Sequence, residues 1–227
     1  MTPSENWSLK YLGYEFSQPA LLEQALTHKS KSAHNNERLE FLGDAVLGVV
    51  IANVLYTQES EAAEGALSRL RAILVRRETL AEVAAELRLG DALQLGSGEA
   101  RSGGHQRQSI MADALEALIG AVFIDSGFES ASLVILKLFA SRLDSLPDAE
   151  SLKDPKTVLQ ERLQAQALSL PDYTVINESG PPHARRFEVI CKVEELKLES
   201  KGVATSRRRA EQTAAAAVLE MMGDDRE

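Results

Sequence analysis

The chain has 227 residues, of which 44% are hydrophobic and 26% charged, with a formal net charge of −9. That length suits one or two domains, each with a core of its own, and aromatics at 5% leave those cores to aliphatic side chains. One cysteine, Cys191, excludes an intramolecular disulfide; with apolar runs far short of a membrane span and no basic-then-apolar leader, a cytoplasmic protein without a membrane segment is expected.

Apolar residues recur at three- and four-residue intervals over 20–27, 37–57, 64–87, 110–124 and 129–146, which predicts helices throughout the first part and no strand. Polar or glycine-rich breaks over 31–36 and 96–104 separate them. The second, Gly96-Ser-Gly-Glu-Ala-Arg-Ser-Gly-Gly104, reads as a connector or as a loop able to close over a ligand. From Leu146 to Pro155 the composition shifts, and a linker is expected. Beyond it, 156–167 is helical, 173–176, 186–193 and 196–202 are β-rich or alternating, and 206–222 is an Ala-rich helix. The expected architecture is multidomain: an all-α domain over 1–147, a linker over 148–153, and a small α+β domain (α-β-β-β-α) over 154–223, with both helices on one sheet face.

Residues 36–44 place three carboxylates in an otherwise apolar helix. At ~100° per residue, Glu37, Glu40 and Asp44 fall within about 60° of one another. Leu39, Leu42, Val46, Val49 and Val50 form a separate face suited to a core. Crowded carboxylates raise one another's pKa, and a bound divalent cation would offset the repulsion. Asp113-Ala-Leu-Glu116 repeats the design beside Leu115, Leu118, Ile119 and Val122, so two helices can converge on one hard-metal site. No Cys/His set has zinc spacing, and no Gly-Lys-Ser/Thr phosphate loop occurs. Phe41 lies about 40° from Glu37 on the wheel, on the acidic side, so partial exposure is expected.

The acidic excess does not exclude a nucleic-acid partner, because it is uneven. Residues 1–153 hold 14 basic against 21 acidic residues, and 154–227 hold 11 against 13. Within the second part, Arg185-Arg186 and Arg207-Arg208-Arg209 offer local positive charge that can grip phosphates.

Asn36-Glu-Arg-Leu-Glu-Phe-Leu-Gly-Asp44 resembles the signature of the ribonuclease III family, and Ala112-Asp-Ala-Leu-Glu-Ala-Leu-Ile-Gly120 its second acidic motif. Leu12-Gly-Tyr-Glu-Phe16, Ala25-Leu-Thr-His-Lys-Ser30 and Glu64-Gly-Ala-Leu-Ser-Arg-Leu-Arg71 fit in the same order. The C-terminal part is similar to a double-stranded-RNA-binding domain through Asp154-Pro-Lys-Thr-Val-Leu-Gln-Glu161, Gly180-Pro-Pro-His183 and Ser206-Arg-Arg-Arg-Ala-Glu-Gln212. The resemblance implies Mg²⁺-dependent hydrolysis of double-stranded RNA, with Mn²⁺ able to substitute and no organic cofactor. It further implies a homodimer, 5′-phosphate and 3′-hydroxyl ends with short 3′ overhangs, and a role in processing ribosomal precursors and other structured transcripts.

By motif match, Glu40, Asp44, Asp113 and Glu116 are the expected metal ligands, with Glu37 and Glu64 in support and Phe41 as a dimer contact. In the second domain, Gln160 and Gln164 could bond 2′-hydroxyls or base edges from one helix, and His183 could enter a successive minor groove. Ser206 would cap the last helix and set Arg207, Arg208 and Arg209 against phosphates. Ala204 departs from the glycine that many relatives carry before that helix.

Simpler readings stand beside these. Acids on a helix are most often a solvated face, and a salt bridge to Arg69 or Arg71 would account for Glu64. His28 and His34 read as structural or loop residues, and Cys191 as buried strand filler. A non-catalytic RNA binder would be expected to have lost metal ligands, and none is missing. A di-metal carboxylate oxidoreductase would want Glu-x-x-His pairs, which neither acidic helix supplies.

Overall fold

The computed structural model describes residues 2–181 and 184–223, so His183 lies outside the described residues. The chain divides into two compact units, 1–149 and 150–227.

The first unit is helical. Its elements are α1 (Pro3–Trp7) running into a π-helical turn over Ser8–Leu12, then α2 (Pro19–Ala25), α3 (Glu37–Gln58), α4 (Glu64–Leu74), α5 (Arg77–Glu86), α6 (Ser97–Arg101) and α7 (Gln108–Asp144). The α1 segment was not expected from periodicity, being too short to show any. Thr2 and Glu5 form a reciprocal capping box that starts it. Buried Trp7 then anchors it, donating from Nε1 to the Leu87 carbonyl at 3.1 Å.

Two expected spans are corrected. The single helix over 64–87 is two helices, because Arg76 is extended (φ −69°, ψ 153°). Apolar spacing runs unbroken through this break, and the Thr79 hydroxyl supplies the Ile73 carbonyl with a donor at 2.7 Å. Conversely, 110–124 and 129–146 form one long element, α7, bent at Gly127, whose φ of +81° is open to glycine at little cost. The glycine-rich stretch over 96–104 also holds α6 in place of an open loop.

Helices α3 and α7 pack most extensively against each other. Leu39, Val46, Leu47, Val50, Ile51 and Leu55 of α3 and Leu115, Leu118, Ile119 and Val122 of α7 are all buried. Val49, expected in this seam, is 57% exposed, and Leu47 takes its place. Both helices are long and apolar enough to cross a bilayer by length and composition, beyond what the uninterrupted apolar runs suggest. Core helices pass the same test, and the buried seam between α3 and α7 makes these two the core of the unit.

The second unit is a three-stranded antiparallel sheet in the order β1 (Asp172–Ser179), β2 (Arg186–Val193), β3 (Leu198–Ala204), with α8 (Pro155–Ala165) before it and α9 (Arg207–Met221) after it. The register pairs Val175 with Val189 and Cys191 with Ser200, with a bulge at Ile176. Leu159 and Leu163 of α8, Cys191 and Val193 of β2, and Ala214, Ala215 and Val218 of α9 form the core. Cys191 is fully buried there. The unit has the expected α-β-β-β-α order.

Candidate active site

Helix geometry brings the acids together. With one face of α3 committed to the seam, Glu40 and Asp44 emerge on its flank; Asp113 and Glu116 emerge on the adjoining flank of α7. The N-terminus of α5 closes the third side. The result is a cavity of about 420 Å³ lined by Glu40, Phe41, Asp44, Val75, Arg77, Leu80, Ala112, Asp113 and Glu116.

Glu40, Asp113 and Glu116 each offer a carboxylate oxygen within 4.8 Å of the other two. Three hard oxygen donors at that separation fit a divalent cation. Asp44 lines the same cavity outside that closest triple. Burial pushes Glu116 up to about 8, helped by the charges of Asp44, Glu40 and Asp113 and opposed by Arg77. Burial also raises Glu40, reinforced by Asp113 and Glu37, and raises Asp113, where Arg77, Lys29 and His28 pull the other way. Carboxylates that cost this much to ionise together are stabilised by a cation among them.

The crowding on α3 expected from the wheel is partly relieved. Glu37 faces solvent and accepts from Lys29 Nζ at 2.9 Å, which holds its carboxyl below the usual range. Both partners are more than half exposed, so this pair contributes little to stability. Glu64 opens α4, exposed, and accepts from the Ser68 hydroxyl at 2.8 Å. It is not among the residues lining the cavity. Phe41 is 81% exposed, a large apolar ring open to solvent at the cavity rim.

Arg77 is the residue that sequence reasoning missed. Its signal was the Arg76-Arg77 doublet between two apolar runs, hidden by reading 64–87 as one helix. Because the chain breaks there, Arg77 becomes the first residue of α5 and reaches the acidic cavity.

In the second unit, Gln160 and Gln164 lie exposed one turn apart on α8. Ser206 caps α9, its hydroxyl accepting from the Arg209 amide at 3.3 Å. Arg207, Arg208 and Arg209 occupy the first turn of α9, all exposed. Arg185 is paired with Glu178 at 2.7 Å.

Residues 18–143 match the family model described as Ribonuclease-III-like, and 155–222 match the double-stranded RNA binding motif. The chain is 55% identical over 211 residues to ribonuclease 3 of Shewanella loihica, covering 93% of each chain. It is 51% identical over 216 residues to ribonuclease 3 of Alkalilimnicola ehrlichii, covering 95% of each. A crystal structure of the nuclease domain of ribonuclease III from Campylobacter jejuni matches 64% of this chain and all of that one, at 42% identity and a TM-score of 0.61. A second structure of that nuclease domain, described for structural flexibility in a region involved in dimer formation, matches 61% and 98% at 45% identity and a TM-score of 0.60. Likeness of this extent, over a fold that joins two acidic helices at one cavity, shows that the chain belongs to the ribonuclease III family of double-stranded-RNA-specific endoribonucleases.

Proposed function

We infer that this protein hydrolyses phosphodiester bonds in double-stranded RNA with Mg²⁺ as its cofactor, leaving 5′-phosphate and 3′-hydroxyl ends with short 3′ overhangs. The observation that carries the reading is the convergence of Glu40, Asp113 and Glu116, with Asp44 on the same wall. These four would hold the ion. When bound, Mg²⁺ supplies Lewis-acid polarisation of the phosphodiester and an ionised water as nucleophile. Glu116 must surrender its proton to become a ligand, which its raised pKa makes a costly step without the cation. Arg77 stands at the wall of the cavity, where its guanidinium can meet a phosphate and draw the RNA backbone towards the acids. Glu37, tied to Lys29, keeps that lysine beside the site. Glu64 takes a supporting place outside the cavity.

A homodimer supports cutting of both strands. Phe41, Val49 and Tyr56 form one exposed apolar face along α3, at 81%, 57% and 75% exposure, an arrangement that suits burial against a second copy. The related Campylobacter jejuni domain is described as having a region involved in dimer formation. In the RNA-binding unit (taken over 154–223, after an endonuclease domain over 1–147), Gln160 and Gln164 would address the minor groove, as would His183. Ser206 and the arginines after it would address phosphates. Cytoplasmic processing of ribosomal precursors and other structured transcripts is the corresponding role.

The test is a long RNA duplex incubated with the protein, with Mg²⁺ or with chelator. Short duplexes are expected only with metal, and Glu116→Ala should still shift the duplex without cutting it. Intact duplex at every Mg²⁺ concentration would leave a non-catalytic RNA binder as the reading.

A further inference from the structure

Two of the three arginines that open α9 are already paired with carboxylates of the same unit. Glu211 is 8% exposed and accepts from Arg207 Nε at 2.9 Å and from Lys156 Nζ at 2.5 Å. Lys156 Nζ also lies 4.3 Å from the centroid of the Tyr173 ring, so its charge is spent inside the unit. Asp154 repeats the pattern one step away. It caps α8 by accepting from the Lys156 amide at 3.0 Å, accepts from Gln212 Nε2 at 2.8 Å, and has Arg208 Nη2 at 3.5 Å. The two carboxylates thus tie the N-terminal end of α8 to that of α9.

The geometry at Arg207 is specific. A guanidinium carries five N–H groups in one rigid plane. Glu211 engages it through Nε, while 64% of the side chain stays exposed. The bond at Nε anchors one edge of the plane in a side chain that stays mostly exposed. Meanwhile Lys156 sits on the helix that presents Gln160 and Gln164. Holding Lys156 and Arg207 on one buried carboxylate therefore sets the spacing between the α8 and α9 contacts.

We propose that Glu211 is a positioning residue for duplex binding: it holds Arg207 by Nε so that the Nη edge meets a phosphate, and through Lys156 it sets the distance between the α8 and α9 contacts. This rests on the reading that the second unit binds double-stranded RNA. It also makes a counter-intuitive demand. Removing a negative charge beside an RNA-binding arginine should, by net charge alone, tighten binding; a positioning role requires the opposite.

The experiment is fluorescence anisotropy of the full chain with a labelled RNA duplex of about 20 base pairs, longer than the ~16 one such domain spans. Chelator keeps the duplex uncut, and the titration is repeated across a series of salt concentrations. Glu211→Gln is expected to weaken binding about tenfold, the scale of one charge-assisted hydrogen bond, and to reduce the salt slope by about one. Arg207→Ala should do the same, and the double variant should be little worse than either, because both remove one phosphate contact. Tighter binding by Glu211→Gln, or additive losses in the double variant, would overturn the proposal. Should Glu211→Gln fail to fold, Arg207→Lys asks the same question. A lysine lacks the rigid fork that would hold Glu211 on one edge and a phosphate on another, so its ammonium is not oriented by Glu211 and it should bind nearly as poorly as Arg207→Ala. Wild-type affinity in Arg207→Lys overturns the positioning role alone, whereas a wild-type chain that ignores the duplex overturns the RNA-binding reading beneath it.

Discussion

Gly43 on α3 faces the backbone carbonyl of Glu116 on α7 with no room for a side chain between them: a Cβ at Gly43 would overlap that oxygen. Gly120 returns the contact against the Leu39 carbonyl. The two acidic helices therefore touch backbone to backbone at the level of the carboxylates they carry, and this approach lets Glu40 and Glu116 share a cavity.

Gly43→Ala tests that closeness through its sign. In an exposed helix the change would gain about 1 kcal/mol from helix propensity. Here, pushing α3 from α7 should instead cost about 1–3 kcal/mol net, as overpacked cores do. Thermal unfolding reads it, and a melting transition at or above the wild-type temperature would mean that the helices yield freely.

The metal-free protein should lose stability as pH rises through about 8. Glu116 ionises near 8 in the fold against an ordinary 4.5, so between those values the folded chain keeps a proton that the unfolded chain has lost. The stabilisation from this group is complete below about pH 4.5 and gone above about pH 8. Cation affinity runs the other way, since a ligand must be ionised. Calorimetry with Mg²⁺ in buffers of different ionisation enthalpy should show release of at least about one proton per ion at about pH 6.5 and little at about pH 8.5. Equal release at both would place the raised pKa elsewhere, and Glu116→Gln should abolish the difference.

Phe41→Ala is expected to weaken self-association by at least about tenfold, the scale of losing a buried aromatic anchor, while helix content by circular dichroism stays constant. Phe41 contributes nothing to the core of a single chain at 81% exposure, so folding has no reason to respond. An undisturbed dimer in sedimentation at low concentration would refute the contact.

Arg77→Gln separates two roles of one cation. Its charge opposes the ionisation penalty of Asp113 and Glu116, but it also competes with a metal for the same cavity. Removing it should tighten Mg²⁺ binding a few-fold while slowing duplex cleavage at saturating metal, because the backbone phosphate loses a donor. Faster cleavage by the variant would assign Arg77 to charge balance alone.

Much of this was legible in the chain. The α-β-β-β-α unit could be read because each element carries its own period and local cap: Asp154 before Pro155, Ser206 before the arginines. That the acids at 40, 44, 113 and 116 line one cavity could be anticipated because two helices each carry a closely spaced acidic pair within one ordered family pattern. Arg77 could not, since apolar spacing runs through the break that exposes it. Val49 was misplaced for a related reason: a helical wheel gives angles on one helix and says nothing of how far the packed face of a neighbour extends.

The sequence by itself determined the helical character of the first unit, the α-β-β-β-α order of the second and which side chains are acidic, basic or apolar along each face, because periodicity, capping and charge act within a few residues. The tertiary structure decided which of those faces meet. Gly43 and Gly120 let α3 and α7 close up, Glu116 loses water and rises to about 8, Glu37 turns away to Lys29, and Arg77 swings in on α5. Burial and the distance between charges on different helices set these outcomes, and both are properties of packing between segments distant in the chain.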